Sequence, residues 1–313
     1  MALEENIKNH ALELGFDLVG ITDASPIDHS QAELLKNWLS SSCAAEMAYM
    51  QKNLEKRIDP SKLLENAQSV IVVALNYKPP HGEQQKAPIL TGRVAAYACY
   101  QDYHIFIRQF LHKLLFFIRT IAASDFNFKI CVDSAPLAER ALAARAGLGF
   151  FGKNHMLINP QLGPRIFLAE LITTLKLKPD KPLEANCADC SKCLAACPTG
   201  ALSADGFFDA AKCISYLTIE HKGTITDELA GKIGDRLFGC DQCVLACPYQ
   251  QNAPTCKNKQ LGFFPERAQL NLHEILEMSE EDFKIRFTGS AIARLGLDRL
   301  KRNAHICLAN LGK

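Results

Sequence analysis

The sequence predicts an α+β chain in three stretches: a mixed α/β region over residues 1–178, a small cysteine-rich region over 179–257 and a short helical, basic segment over 258–313. Three observations predict it. Strand and helix patterns alternate before residue 178, nine of the thirteen cysteines crowd between Cys187 and Cys256, and the remainder reads mostly as helix.

Taken in order, Met1 to Leu14 place Glu4, Glu5, Lys8 and Glu13 among apolar residues, an amphipathic helix rather than a signal peptide. Phe16–Ile21 is a short strand, and Gln31 to Leu54 reads as helix. Ser69–Leu75 (SVIVVAL) is a nearly unbroken β-branched run, the pattern of a strand buried on both faces. Asp102 to Ala123 is a long helix, Phe128–Val132 a strand, and Pro136 to Ala146 an alanine-rich helix with proline in its first turn. Met156–Ile158 and Ile166–Thr173 are expected to pair around the turn Asn159-Pro160-Gln161-Leu162-Gly163. Leu270–Phe287 and Ala291–Leu311 read as helices.

Composition bounds the function. Of 313 residues 48% are hydrophobic and 22% charged, which is globular, and a net charge of +1 makes no global demand for nucleic acid. The most apolar segment, Ile105 to Ala123, is interrupted by Arg108, His112, Lys113 and Arg119, so no membrane span and a soluble cytoplasmic protein are expected. In that compartment crowded cysteines point to metal rather than disulfides.

Cys187, Cys190, Cys193 and Cys197 form C-x2-C-x2-C-x3-C before Pro198, the run of bacterial two-cluster ferredoxins. The fourth cysteine of such a run is led away to the other cluster. A second run, Cys240, Cys243 and Cys247 before Pro248, lacks its first member because Leu237 stands there; Cys213 is the natural substitute. With the crossover applied, one [4Fe–4S] cluster takes Cys187, Cys190, Cys193 and Cys247, and the other takes Cys197, Cys213, Cys240 and Cys243. Paired zinc sites are the competing reading, but they rarely use this run. Cys43, Cys99, Cys131, Cys256 and Cys307 read as spare thiols.

Outside the clusters the residues are ambiguous. Gly147, Gly149 and Gly152 spell G-x-G-x-x-G but follow a helix, so they read as a helix end and tight turn rather than a dinucleotide site. Asp133, between a strand and a helix, either caps the helix or presents a carboxyl in a pocket, where burial could keep it protonated. Asp102 and His104 read as structural, and Arg57 as a surface charge. Arg294, Arg299, Lys301 and Arg302 make the last helix basic, either a solvated face or a phosphate contact.

Five segments together resemble the epoxyqueuosine reductase family: KRIDPSKLL from Lys56, DYH from Asp102, VDSAPLAERALAARAGLGFFGKN from Val132, the region Cys187–Pro248, and Arg302-Asn303-Ala304. The resemblance implies a cobalamin-binding N-terminal region, with Arg57, Asp133, Leu157, Leu168, Ser215, Asp241 and Gln242 lining the corrinoid and Asp133 as proton donor. It implies reduction of epoxyqueuosine to queuosine at the wobble position of a tRNA anticodon, with electrons arriving from a low-potential donor through the clusters. Opening an epoxide reductively takes two electrons and a proton, and the clusters deliver electrons singly. Where some members have a cysteine before the DYH segment this chain has Ala95, and it ends just after Arg302-Asn303-Ala304 where many members continue, so the basic tail gains weight as a tRNA contact. A reductive dehalogenase-like enzyme and a non-catalytic electron carrier are the alternatives; corrinoid binding separates the last from the others.

Overall fold

The computed structural model describes residues 2–80 and 90–312. Its main sheet has four strands in the order β1 (Leu18–Asp23), β2 (Ser69–Asn76), β7 (Ile166–Thr173), β4 (Phe128–Cys131), each antiparallel to its neighbours. The unbroken run in β2 is explained by burial on both sides. Ile71, Val73 and Leu75 face α1 (Leu3–Glu13) and α5 (Tyr103–Ile121), whereas Val70, Val72 and Ala74 face α6 (Glu139–Arg145). In α5 the buried positions Phe106, Ile107, Phe110, Leu111, Leu114, Leu115 and Ile118 recur at helical spacing and form one apolar stripe. Each such side chain contributes about 1.5–3 kcal/mol when fully buried.

A second sheet draws one strand from each stretch of the chain. β3 (Thr91–Val94) runs parallel to β8 (Arg236–Phe238) and antiparallel to β9 (Gln269–Asn271). Val94, Leu237, Leu270, Leu300 and Cys307 lie in the core beside it. β5 (Phe150–Phe151) and β6 (Leu157–Ile158) form a short hairpin, and Phe150 and Ile158 pack with Cys247 and Cys187.

Several expectations change. Met156–Ile158 does not pair with Ile166–Thr173, because β7 is buried on both sides and is held by β2 and β4. Only Asn159 and Gly163 bridge across the expected turn. The helix read over Gln31–Leu54 stops at Ser40; the Ser40-Ser41-Ser42 run breaks it, and Ala45 and Asn53 take positive φ. Leu270–Phe287 opens as strand β9 and splits into helices Leu272–Glu277 and Glu280–Phe287, the second begun by a Ser279–Asp282 capping box. β3 and β8 are too short to carry a period-2 signal. Gly147, at φ 79°, ends α6, and a Cβ there would lie 2.5 Å from the Lys181 carbonyl oxygen, so this glycine serves a turn.

Candidate cluster and proton-transfer site

Eight of the cysteines gather in two groups. Cys187, Cys190, Cys193 and Cys247 line one cavity with Lys153, Asn154 and Tyr249. Cys213 lies close enough to Cys197 for their charges to interact, Cys240 feels Cys213, and Cys243 feels both Cys240 and Cys213. The two groups adjoin, since Cys243 also feels Cys193. Among the described residues no three Cys, His, Asp or Glu side chains converge as ligands of a single ion. Four thiols around one cavity, with a second set of four adjoining it, suit cubanes rather than single ions. Leu237 is fully buried in the core beside β8, so the position where a full run would place cysteine points away from any cluster.

Backbone amides surround the sulfurs. The Lys153 N–H donates to Cys187 Sγ at 3.5 Å, and Thr199 Oγ1 lies 3.6 Å from Cys197 Sγ. Such contacts favour the thiolate form and tune a cluster's potential. The segment Arg302-Asn303 braces this region from behind. Asn303 Nδ2 donates to the carbonyls of Thr218 and Leu237 at 2.8 and 3.0 Å, and the Arg302 guanidinium donates to Leu217, His221 and Gly223. Those carbonyls belong to the stretches that carry Cys213 and Cys240. Arg299 is likewise committed, to the carbonyls of Leu295, Ile219 and Arg294. Two of the basic tail's three arginines are therefore braces, and the expectation that the tail is a phosphate-binding face weakens accordingly. Of the spare thiols, burial pushes Cys99, Cys131 and Cys307 up to about 12.

Asp133 does not cap α6. It sits at φ 54°, its N–H donates to Glu139 Oε1 at 2.6 Å, and its carboxylate turns toward α5. Oδ2 accepts from Tyr103 Oη at 2.9 Å and lies 3.0 Å from His104 Nε2. His104 Nδ1 lies 2.7 Å from Asp102 Oδ1, which also accepts the His104 N–H as the N-cap of α5. Arg294 Nη1 reaches His104 Nε2 at 3.0 Å, and Nη2 reaches Asp102 at 3.3 Å. Asp102 and His104 are thus joined to Asp133 in one hydrogen-bonded series. Sequence reading missed Tyr103 and Arg294 as their partners; Arg294 lies 190 residues from His104, with no local signal.

The electrostatics differ from the expectation of a protonated Asp133. Burial pushes this carboxyl up, but hydrogen bonds from His104 and Tyr103 outweigh it and hold Asp133 below the usual carboxylate range. Burial alone would lower His104, yet its bonds to Asp102 and Asp133 raise it above the ordinary histidine value. Of the two groups, His104 is therefore the one that favours the proton, lying between two carboxylates. Asp133 keeps 56% of its side chain open although protein surrounds it, which places it in the wall of a recess.

Arg57 and Tyr49 border the same recess, close enough to feel the Asp133 charge. Arg57 Nε is buried and has no hydrogen-bond partner, an arrangement that costs about 1–3 kcal/mol unless a ligand completes it. Asp241 accepts the Ala96 N–H at 2.8 Å and pairs with Arg165 at 3.1 Å. Ser215 and Gln242 are half-buried beside Cys213 and Cys243, Leu168 is half-buried on β7, and Leu157 is buried on β6. A shallow cavity of about 520 Å³, lined by His10, His112, Lys113 and Phe116, lies on the outer face of α1 and α5 and gathers none of these groups.

Comparison with known proteins adds to this geometry. Residues 186–250 match the family model of the 4Fe-4S double cluster binding domain, and residues 57–134 that of epoxyqueuosine reductase QueG, DUF1730. The epoxyqueuosine reductase of Cyclobacterium marinum is 39% identical over 96% of this chain and 94% of its own length. A crystal structure of epoxyqueuosine reductase with an epoxyqueuosine-modified tRNA-Tyr stem loop superposes with a TM-score of 0.91 at 34% identity, covering 99% of this chain and 81% of that one. The Bacillus subtilis enzyme, captured with its catalytic aspartate loop swung out of the active site, superposes equally well, at 0.91 and 33% identity over 99% of this chain and 82% of that one. No helix among the described residues is long and apolar enough to cross a membrane.

Proposed function

The chain belongs to the epoxyqueuosine reductase family, and from that premise we propose that it reduces the epoxide of epoxyqueuosine at the wobble position of a tRNA anticodon to give queuosine. The observation that carries the reading is the hydrogen-bonded series Asp102–His104–Asp133 ending at an open recess. The reaction consumes two electrons and two protons, and the oxygen leaves as water.

Two [4Fe–4S] clusters fit the two sets of thiols, and the unpartnered Arg57 Nε fits a polar group of a corrinoid in the recess. Arg57, Asp133, Leu157, Leu168, Ser215, Asp241 and Gln242 would hold the corrinoid. Cobalamin, when bound, supplies the low-potential two-electron chemistry at cobalt. The loop that would hold the first cluster is exposed at Asn186, Ala188 and Asp189, where a low-potential carrier can approach. Ser215, Asp241 and Gln242 lie close in the chain to Cys213, Cys240 and Cys243, so residues that would hold the corrinoid adjoin residues that would hold the second cluster. The reaction belongs in the cytoplasm with its tRNA substrate, and the anticodon base must be splayed out to reach the recess.

The protein's own part is the proton. His104 holds it, and Asp133, ionised at rest, passes it to the epoxide oxygen as the C–O bond opens. Once the imidazole is neutral, its Nε2 lone pair accepts from Arg294 Nη1, already 3.0 Å away, so Arg294 stabilises the spent state. Because His104 must be charged, kcat/KM is expected to fall as pH rises through its raised pKa, above the free value of about 6.5. His104→Gln is expected to remove that limb of the profile; a variant retaining it would assign the limb elsewhere.

The function itself is tested by supplying anaerobically purified, corrinoid-loaded protein with a chemical reductant and an epoxyqueuosine-bearing stem loop. Nucleoside mass spectrometry should show queuosine accumulating. A preparation that takes up corrinoid and both clusters yet leaves the epoxide intact would defeat the reading.

A further inference from the structure

β7 carries a charged residue inside an otherwise apolar stretch. Ile166 and Ile172 of that strand pack toward α6, and Glu170, at an even position between them, faces the same way. It is fully buried, and neither of its oxygens has a hydrogen-bond donor. Among the described residues no cation forms an ion pair with it. The polar group it meets is the side chain of Glu139, the first residue of α6. Glu139 in turn accepts the Asp133 N–H at 2.6 Å.

Two carboxyls in contact away from water cannot both be ionised. A proton on Glu170 removes the difficulty, because it turns an orphaned acceptor into a donor toward Glu139. Burial raises both groups, and the deeper, Glu170, well above its ordinary value. The deeper group is then the acid, while the shallower, which receives the Asp133 N–H, keeps the charge. Asp133 needs this tie, since a side chain at φ 54° costs about 1–2 kcal/mol over ordinary backbone.

We propose that Glu139 and Glu170 share one proton, donated by Glu170, and that the pair is a positioning device that clamps the Asp133 N–H and aims its carboxylate at His104 and the recess. The effect on turnover rests on the proton-transfer role given to Asp133 above; the shared proton and the clamp do not.

Glu170→Gln keeps the shape and a donor toward Glu139, so kcat should stay near the parent value. Glu170→Leu removes the donor and should lower kcat on the order of 10²-fold with KM little changed, the effect of a misaimed group. Two readouts need no turnover. Infrared spectra of the chain without corrinoid should show the C=O stretch of a buried protonated carboxyl, absent in Glu170→Gln. Amide exchange across residues 132–138 should quicken in Glu170→Leu and Glu139→Ala but not in Glu170→Gln. A missing carboxyl band, or a Glu170→Gln variant as impaired as Glu170→Leu, overturns the proposal. If the protein fails to reduce epoxyqueuosine but the band and the exchange pattern appear, the clamp stands and the functional reading falls.

Discussion

Asp133→Asn is expected to lower turnover by about 10²–10⁴-fold, the range lost when a positioned acid–base group is removed, while iron and corrinoid contents stay at parent levels. The amide matches the carboxylate in shape, so Tyr103 Oη keeps an acceptor and the Asp133 N–H keeps Glu139. What disappears is the anion. Without it His104 loses the Asp133 charge that helps to raise its pKa, and the Asp102 contact alone holds the proton less firmly. The variant should therefore be slow at every pH, with whatever activity remains declining at lower pH than in the parent. Stopped-flow single-turnover measurement with iron and cobalt quantification separates this from lost cofactor. Near-parent rates would remove Asp133 from the chemistry.

Cys213→Ala is expected to halve the bound iron and abolish turnover. Its thiol stands beside Cys197 and Cys240, the positions left one short when Leu237 is taken into the core. The first cluster draws no ligand from residue 213 and should persist, visible as one remaining [4Fe–4S] signal by paramagnetic resonance after reduction. Cys256→Ala is the control, because that thiol lies beside Tyr100 and Asn258 rather than in either set. Full iron retention in Cys213→Ala, or equal loss in Cys256→Ala, would reassign the ligand.

The cysteine pattern was the most legible feature because ligand spacing around a cubane is local: cysteines three positions apart wrap one corner. The gap at Leu237 and the spare at Cys213 were also visible, although only the sheet explains why position 237 is unavailable. Strand β2 was readable for a similar reason, since burial on both faces leaves an unbroken run. The proton series was not. Asp102, Tyr103 and His104 are adjacent, but Asp133 reaches them only through the packing of α5 on the main sheet, and Arg294 only through the C-terminal region. The sign of the Asp133 shift was misread because burial was visible in prospect and its hydrogen-bond donors were not. Glu170 did leave a trace, a lone carboxylate in the apolar run Ile166–Thr173. A charge in a strand buried on both sides needs either a partner or a proton.

The three-segment sheet bears on how the molecule is made. Strands β1, β2, β4 and β7 are all synthesised by Thr173, so the main sheet can close early. The last cluster cysteine is Cys247, but β9 and the Arg302-Asn303 braces come later still. Eight thiols thus leave the ribosome before the wall behind them exists. Iron and sulfide are expected to meet an unfinished chain whose thiols are still accessible, and the corrinoid a finished one. Anaerobic pulse-labelling should accordingly find iron bound before cobalt.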